Sequence, residues 1–251
     1  MNLKKHCSLN DTISFLEMIN ACVCCDNHKD LYQIVDTLKT LTHSVCAILT
    51  YSEYMAVLNG STAEIHSANF GFPEDFLRRY FAKKLFKNDI PVMAFSKTFE
   101  LQNWRECNNI YNEGKQNRID EELKAYGIRD GWVYGVRDFT RTKLTTISIG
   151  SGIIDATNRT KAIIRMITPH IAEAYNRVRK VENLQKYHLT KREVEVLNWL
   201  KEGKTSWEIS RILKISKRCV DFHIDNAKSK LNSTNRTQAV AVALGAELIT
   251  L

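Results

Sequence analysis

The sequence predicts an α+β protein: an N-terminal α/β/α sandwich on an antiparallel sheet, followed by a compact four-helix unit. Three observations carry this. The chain has 251 residues, 44% of them hydrophobic, and domains run to about 100 to 200 residues, so two cores fit. Its first two thirds mix helically spaced apolar residues with β-rich runs, without the strict strand-helix alternation of a parallel sheet. Its last quarter holds four helix-start signals at short intervals.

In chain order, Asp11 to Cys25 and Asp30 to Leu41 place apolar residues at helical spacing (Ile13, Leu16, Ile19; Leu31, Ile34, Val35, Leu38) and read as two amphipathic helices. Val45 to Tyr51 and Ala63 to Phe70 read as strands. A helix starts at Pro73 and Glu74 and runs towards Phe86, and an irregular stretch carries the chain through Trp104. A polar helix from Arg118 to Tyr126 stops at Gly127. Trp132 to Arg137 and Leu144 to Ser151 are the next strands, and a long helix runs from Asn158 to Val181. The polar stretch Arg179 to His188 has little to bury, so the helix is expected to fray there into a linker. The expected domains are 1–180 and 189–251, joined by a linker at 181–188.

In the last domain Thr190 with Glu193, Thr205 with Glu208, and Asn235 with Gln238 have the spacing of capping boxes, and Ser216 caps a fourth helix. The expected helices are Lys191 to Glu202, Ser206 to Lys214, Lys217 to Leu231 and Arg236 to Ile249, with Gly203 closing the first. Their apolar faces are Val194, Leu197 and Leu200; Ile209, Ile212 and Leu213; Val220, Ile224, Ala227 and Leu231; and Ala239, Val242 and Leu248. Only Ile215 and Ser216 separate the second and third helices, which is the short connection of a helix-turn-helix. Lys217, Arg218, Lys228 and Lys230 lie near the ends of the third helix, placed to meet phosphates. Asp221, Phe222 and Asp225 lie away from its apolar stripe. A solvated charged helix in a bundle of another purpose would show the same pattern.

Charge agrees with a phosphate-bearing partner. The formal net charge is +8, and Leu184 to Leu251 holds 12 Lys and Arg against 7 Asp and Glu, while the much longer remainder holds 24 against 21. No run approaches the roughly 18 apolar residues of a membrane span, and no apolar stretch follows Lys4 and Lys5 as in a signal peptide, so the expected location is cytoplasmic. Seven cysteines, an odd number without framework spacing, are expected to be reduced thiols.

The run LTKREVEVLNWLKEGKTSWEISRILKISKRCVDFHIDNAKSKLNSTNRTQAV resembles the DNA-binding domain of LuxR-type quorum-sensing regulators. Glu193, Leu197, Gly203, the Lys-Thr-Ser-Trp-Glu-Ile start of the second helix, and Val220 with His223 fall on positions that family keeps. The resemblance implies that Asp221, Phe222 and Asp225 face base edges and that Lys217, Arg218 and Lys228 face phosphates. It also implies a homodimer on a palindromic double-stranded operator. Cys219 departs from the family, which usually has Thr there.

The first 180 residues more faintly resemble the family's autoinducer-binding domain, with Tyr80, Asp89, Trp104 and Gly131 in the order of its landmarks and FPEDFLRRYF similar to the helix that floors its pocket. The resemblance implies a ligand site at Phe72, Phe76, Tyr80, Asp89 and Trp104, with Asp89 accepting a hydrogen bond from the amide N–H of an N-acyl homoserine lactone. Phe76 stands where the family has a Trp and Phe72 where many members have a Tyr, and Ile90 separates Asp89 from Pro91. Two lost donors imply a less polar or differently shaped signal. Any one of these aromatics, with Trp132, also reads as plain core.

Cys22, Cys24, Cys25 and His28 have ligand chemistry, but Cys22 and Cys25 share the apolar face of a helix and read more simply as small buried hydrophobes. No phosphate-binding Gly-rich loop, HExxH or nucleophile elbow is present, so neither an enzyme nor a cofactor is expected. Three alternatives remain: a response-regulator-like factor, which would need an alternating βα receiver; a DNA-binding regulator independent of ligand; and a ligand-binding or interaction protein with no DNA role, which would need the basic third helix to be coincidental.

Overall fold

The computed structural model describes residues 8–54, 65–111, 118–138, 141–153 and 157–249, and the chain divides into two compact units, Met1–Asn176 and Arg177–Leu251. The first unit contains α1 (Leu9–Val23), α2 (His28–Thr42), β1 (Cys46–Glu53), β2 (His66–Phe70), α3 (Glu74–Ala82), a 3-10 turn (Leu85–Asn88), α4 (Ile90–Thr98), β3 (Gln102–Asn103), α5 (Trp104–Tyr111), α6 (Arg118–Ala125), β4 (Asp130–Arg137) and β5 (Lys143–Ser151). The strands form one antiparallel sheet in the order β2-β1-β5-β4-β3. Strand alternation divides the two faces of this sheet. Thr145 reaches Asn176 of the long helix α7 (Asn158–Lys186) at 3.3 Å, while Ile48, one face over, packs with Phe72, Phe76, Ile119 and Leu123 of the α3 and α6 side.

Several expectations change. α1 begins at Leu9 because Ser8 and Asp11 form a reciprocal capping box, and Arg159 then bonds Asp11. Its buried face is Phe15, Met18 and Cys22, while Ile13 and Leu16 are exposed. Two apolar stripes lie on one helix, and spacing alone chose the wrong one. The helix from Glu74 ends at Ala82, and a 3-10 turn follows Lys84, whose backbone is left-handed. The stretch expected to be irregular before Trp104 holds α4, and α5 starts at Trp104 itself. Ala63 and Glu64, expected to open a strand, lie outside the described residues. Gly127 and Gly203 both have positive φ, 78° and 75°, the helix-ending conformation that only glycine adopts without strain.

α7 stays helical to Lys186, so 181–186 of the expected linker is ordered helix. The reason lies in the second unit: Arg179, buried, bonds Glu247, and Asn183 donates to the carbonyl of Ala246 at 3.1 Å. The other helices there are α8 (Lys191–Lys201), α9 (Ser206–Leu213), α10 (Lys217–Lys230) and α11 (Arg236–Gly245). Thr190 with Glu193 and Thr205 with Glu208 are capping boxes, and Ser216 caps α10. The third expected box is not reciprocal: Asn235 caps the amide of Gln238, but the Gln238 side chain bonds Thr234. α11 stops at Gly245, and Leu248 and Ile249 fold back into the core with Leu197, Ala227 and Leu231. Ile212, expected on an apolar face, is exposed, and the buried side of α9 is Ser206, Ile209 and Ser210.

Candidate functional site

Phe72, Phe76, Tyr80, Asp89 and Trp104 all line one cavity on the α3 side of the sheet. Phe72 and Phe76 are buried and close it with aromatic surface, the Phe76 and Tyr80 rings lying 5.7 Å apart. Asp89 is the polar centre. Its carboxylate caps α4 by accepting from the amide of Val92 at 3.3 Å, and it accepts from the Tyr80 hydroxyl at 2.8 Å. Ile90 does not disturb this, because Pro91 falls in the first turn of α4, where its missing N–H goes unused. Burial pushes the Asp89 carboxyl up to about 6 from its ordinary 3.8; Tyr80 and the Val92 amide oppose the rise and Asp120 adds to it. Burial also raises Tyr80 well above its ordinary value, with Asp89 adding to the effect.

Trp104 is held by the residues on either side of it. Asp130 Oδ1 accepts from the Asn103 side chain (3.1 Å), the Arg105 amide (3.3 Å) and the Gly131 amide (2.8 Å). The indole lies so close on β4 that a Cβ at Gly131 would stand 2.4 Å from it. Glycine at 131 is therefore a condition for the indole's place in the wall. Sequence reasoning missed the sheet side of the cavity, lined by Thr50, Ser52, Thr146 and Ser148 as well as Ile48 and Leu144. Strand alternation could have put these six on one face, but not shown that the face is hollow.

On α10, Val220, Ile224 and Ala227 are buried against Val196 and Ile209 or in the neighbouring core. That fixes the opposite face. Phe222 is 61% exposed, and Lys217, Arg218 and Asp225 are also exposed. Asp221 and Lys228 are half-buried, and the Lys228 ammonium lies 3.0 Å from Asp225. Lys230 departs from expectation: its ammonium sits 2.8 Å from the buried Glu193, where it closes the unit internally instead of facing phosphate. Cys219 is exposed in the first turn, and its amide donates to Ser216.

The family model described as autoinducer binding domain matches residues 35–175, and the one described as bacterial regulatory proteins, luxR family, matches 187–243. The chain belongs to the LuxR family. It is 26% identical to the transcriptional activator protein LuxR of Aliivibrio fischeri over 96% of this chain and 95% of that protein. It is 36% identical to the quorum sensing-dependent regulator RpaR of Rhodopseudomonas palustris over 77% of this chain and 79% of that one. The crystal structure of Escherichia coli SdiA shares the fold, with a TM-score of 0.58 at 21% identity over 94% of this chain and 98% of that one. As a LuxR-family protein it is an autoinducer-dependent transcription regulator that binds DNA through its helix-turn-helix, and it is not an enzyme. Among the described residues, no helix is long and apolar enough to cross a membrane.

Proposed function

We propose that the protein acts as a homodimer on a two-fold symmetric operator, with α10 in the major groove and an acyl-type signal held at Asp89. Asp221, Phe222 and Asp225 read base edges, and Lys217, Arg218 and Lys228 hold phosphates. The observation that carries the DNA reading is the exposed ring of Phe222 in mid-helix, between cationic ends and opposite the buried Val220, Ile224 and Ala227. A thymine methyl is a fitting partner for such a ring. The long helix α7 and the last helix α11 pair the protomers. The two-fold arrangement matches half-sites about one helical turn apart. Fluorescence anisotropy with a symmetric two-half-site duplex is expected to show binding far tighter than to a single half-site. A monomer at micromolar protein that binds one half-site with full affinity would refute it.

The roles within α10 separate by salt. Lys228→Ala is expected to weaken binding to every sequence and to flatten the log–log salt dependence by about one unit, because one phosphate contact is lost. Phe222→Ala is expected to change which operator is preferred. If Lys228→Ala altered only sequence preference, the assignment of helix faces would be wrong.

The ligand reading rests on Asp89, a half-buried acceptor and, among the described residues, the one charged side chain in a cavity otherwise lined by aromatic, aliphatic and hydroxyl side chains. It fits a ligand that brings an N–H. Phe72 and Phe76 supply no donor for a polar head, which favours an N-acyl homoserine lactone or a less polar relative over a heavily hydrogen-bonded one.

A further inference from the structure

We propose that the outer face of α1 pairs with α1 of a second copy, the two helices parallel and in register, and that this contact joins two dimers into an assembly of four. It is separate from the pairing through α7 and α11 and rests on that reading of the dimer. α1 is apolar on two faces. Phe15, Met18 and Cys22 are buried in its own domain. Leu9, Ile13, Leu16 and Val23 are exposed, from 46% for Ile13 to 76% for Leu9, and the exposed Asn20 completes their row. The two rows are offset by two residues, about 200° around a helix, so the second points away from the domain. Exposed apolar residues scattered singly need no account, but a continuous row of them marks a contact surface.

The pattern of the row fits a copy of itself. Its steps of 4, 3, 4 and 3 residues are those of a coiled-coil seam, with Ile13 and Asn20 at position a and Leu9, Leu16 and Val23 at position d. A β-branched residue at a with leucine at d favours two strands, and a single asparagine at a fixes the register. Parallel pairing sets Asn20 against Asn20, where the two amides bond each other. Antiparallel pairing about Leu16 would set it against Ile13 and leave its amide unmet. Of the flanking Asn10, Thr12, Glu17, Ile19 and Cys24 only Glu17 is charged. In the parallel pair it faces the second copy's Thr12, so like charges do not meet.

Two heptads are short for a free coiled coil, since isolated helices of about 12 to 15 residues are marginal in water. The contact does not have to form α1, however. Ser8 and Asp11 cap it reciprocally, Arg159 holds Asp11 at 3.0 Å, and its inner face is already packed. On one flank Glu17, Ala21 and Cys24 edge an open groove towards Asp30 and Gln33 of α2, which leaves room for a helix to approach the row. The contact gains its effect on DNA: an assembly of four carries two dimers, and a dimer held on one operator raises the effective concentration of the other at a second.

The test is the mass distribution of the full chain by sedimentation velocity, from about 1 to 100 μM protein. A four-copy species is expected to grow with concentration at the expense of the two-copy one. Leu16→Glu puts a charge into the seam at an exposed site, so the fold, checked by circular dichroism, and the two-copy species should stay while the four-copy species is lost. Ile13→Cys should link copies through a disulfide under mild oxidation, above the background of the natural protein, because only the parallel register sets position 13 against itself; absence of that link overturns the register. No species beyond two copies in the natural protein overturns the proposal and leaves the dimer standing, and so does a four-copy species that survives Leu16→Glu. Single copies of Leu16→Glu would overturn it too, by making α1 the contact assigned to α7 and α11. A natural protein that stays single throughout removes the homodimer reading and this proposal with it.

Discussion

Asp89→Ala is expected to weaken ligand binding by about a hundredfold or more, because the substitution removes three bonds at once. The ligand loses a charged acceptor, a bond worth about 1.5 to 3 kcal/mol. α4 loses its N-cap, about 1 kcal/mol, and the Tyr80 hydroxyl loses the acceptor it holds at 2.8 Å. Asp89→Asn separates these effects: its amide oxygen can still cap Val92, and its NH2, standing where the second carboxylate oxygen meets Tyr80, can donate to that hydroxyl, so thermal stability should largely recover while the charge-assisted part of ligand binding stays lost.

The carboxyl also makes binding depend on pH. Burial holds it at about 6 against an ordinary 3.8, so its contribution to stability is full below 3.8 and is lost as pH rises through about 6. The difference is on the order of 3 kcal/mol. A ligand N–H favours the ionised form and acts in the opposite sense, so affinity should rise with pH across about 5 to 7. Asp89→Asn should flatten that rise. Calorimetry on the three proteins at several pH values decides it: an alanine variant that binds within threefold of the natural protein removes Asp89 from the site.

The parts of the fold that were legible are those whose residues announce themselves locally. Thr190 and Thr205 with Glu193 and Glu208 mark helix starts at a fixed three-residue spacing, and the structure shows both as reciprocal boxes. α4 was missed because IPVMAFSKT is apolar at most positions and shows no stripe, although Asp89 and Pro91 are start signals. α1 was assigned the wrong face because Phe15 and Met18 compete with Ile13 and Leu16 at the same spacing, and only the neighbours decide which stripe is covered. The helical wall of the cavity was named through a family resemblance. Its hydroxyl wall was invisible, since Thr50 and Ser52 in a strand look the same whether they face solvent, a packed core or a hollow. Lys230 was counted as a free charge because a sequence shows charge but not the Glu193 that neutralises it across 37 positions.

Glu193→Ala is expected to cause the largest loss in the DNA-binding unit. The residue is 2% exposed and holds two elements: it returns to the Thr190 amide at 2.7 Å to close the capping box of α8, and it takes the Lys230 ammonium from the last turn of α10 at 2.8 Å. Through that pair the end of the recognition helix is fixed to the start of α8. Removing a cap costs about 1 kcal/mol, and breaking a buried pair costs about 3 to 5. The half-exposed stem of Lys230 lets its ammonium return to water, which lowers the total to about 2 to 4 kcal/mol. Glu193→Gln keeps one oxygen for the Thr190 amide and loses the charge and the second acceptor for Lys230, so it should cost less than Glu193→Ala. Burial pushes the Glu193 carboxyl up, but Lys230 and the Thr190 amide and hydroxyl outweigh it, and the net shift is below the ordinary 4.5. A carboxyl lowered on folding contributes stability that is present above 4.5 and lost as pH falls through its folded value. Acidification should therefore loosen this unit in the natural protein and affect Glu193→Gln less. Hydrogen exchange of the α8 and α10 amides, followed with operator affinity, reads both effects. Protection in Glu193→Ala unchanged to within about 0.5 kcal/mol, the range of an ordinary surface substitution, would show that the pair holds nothing.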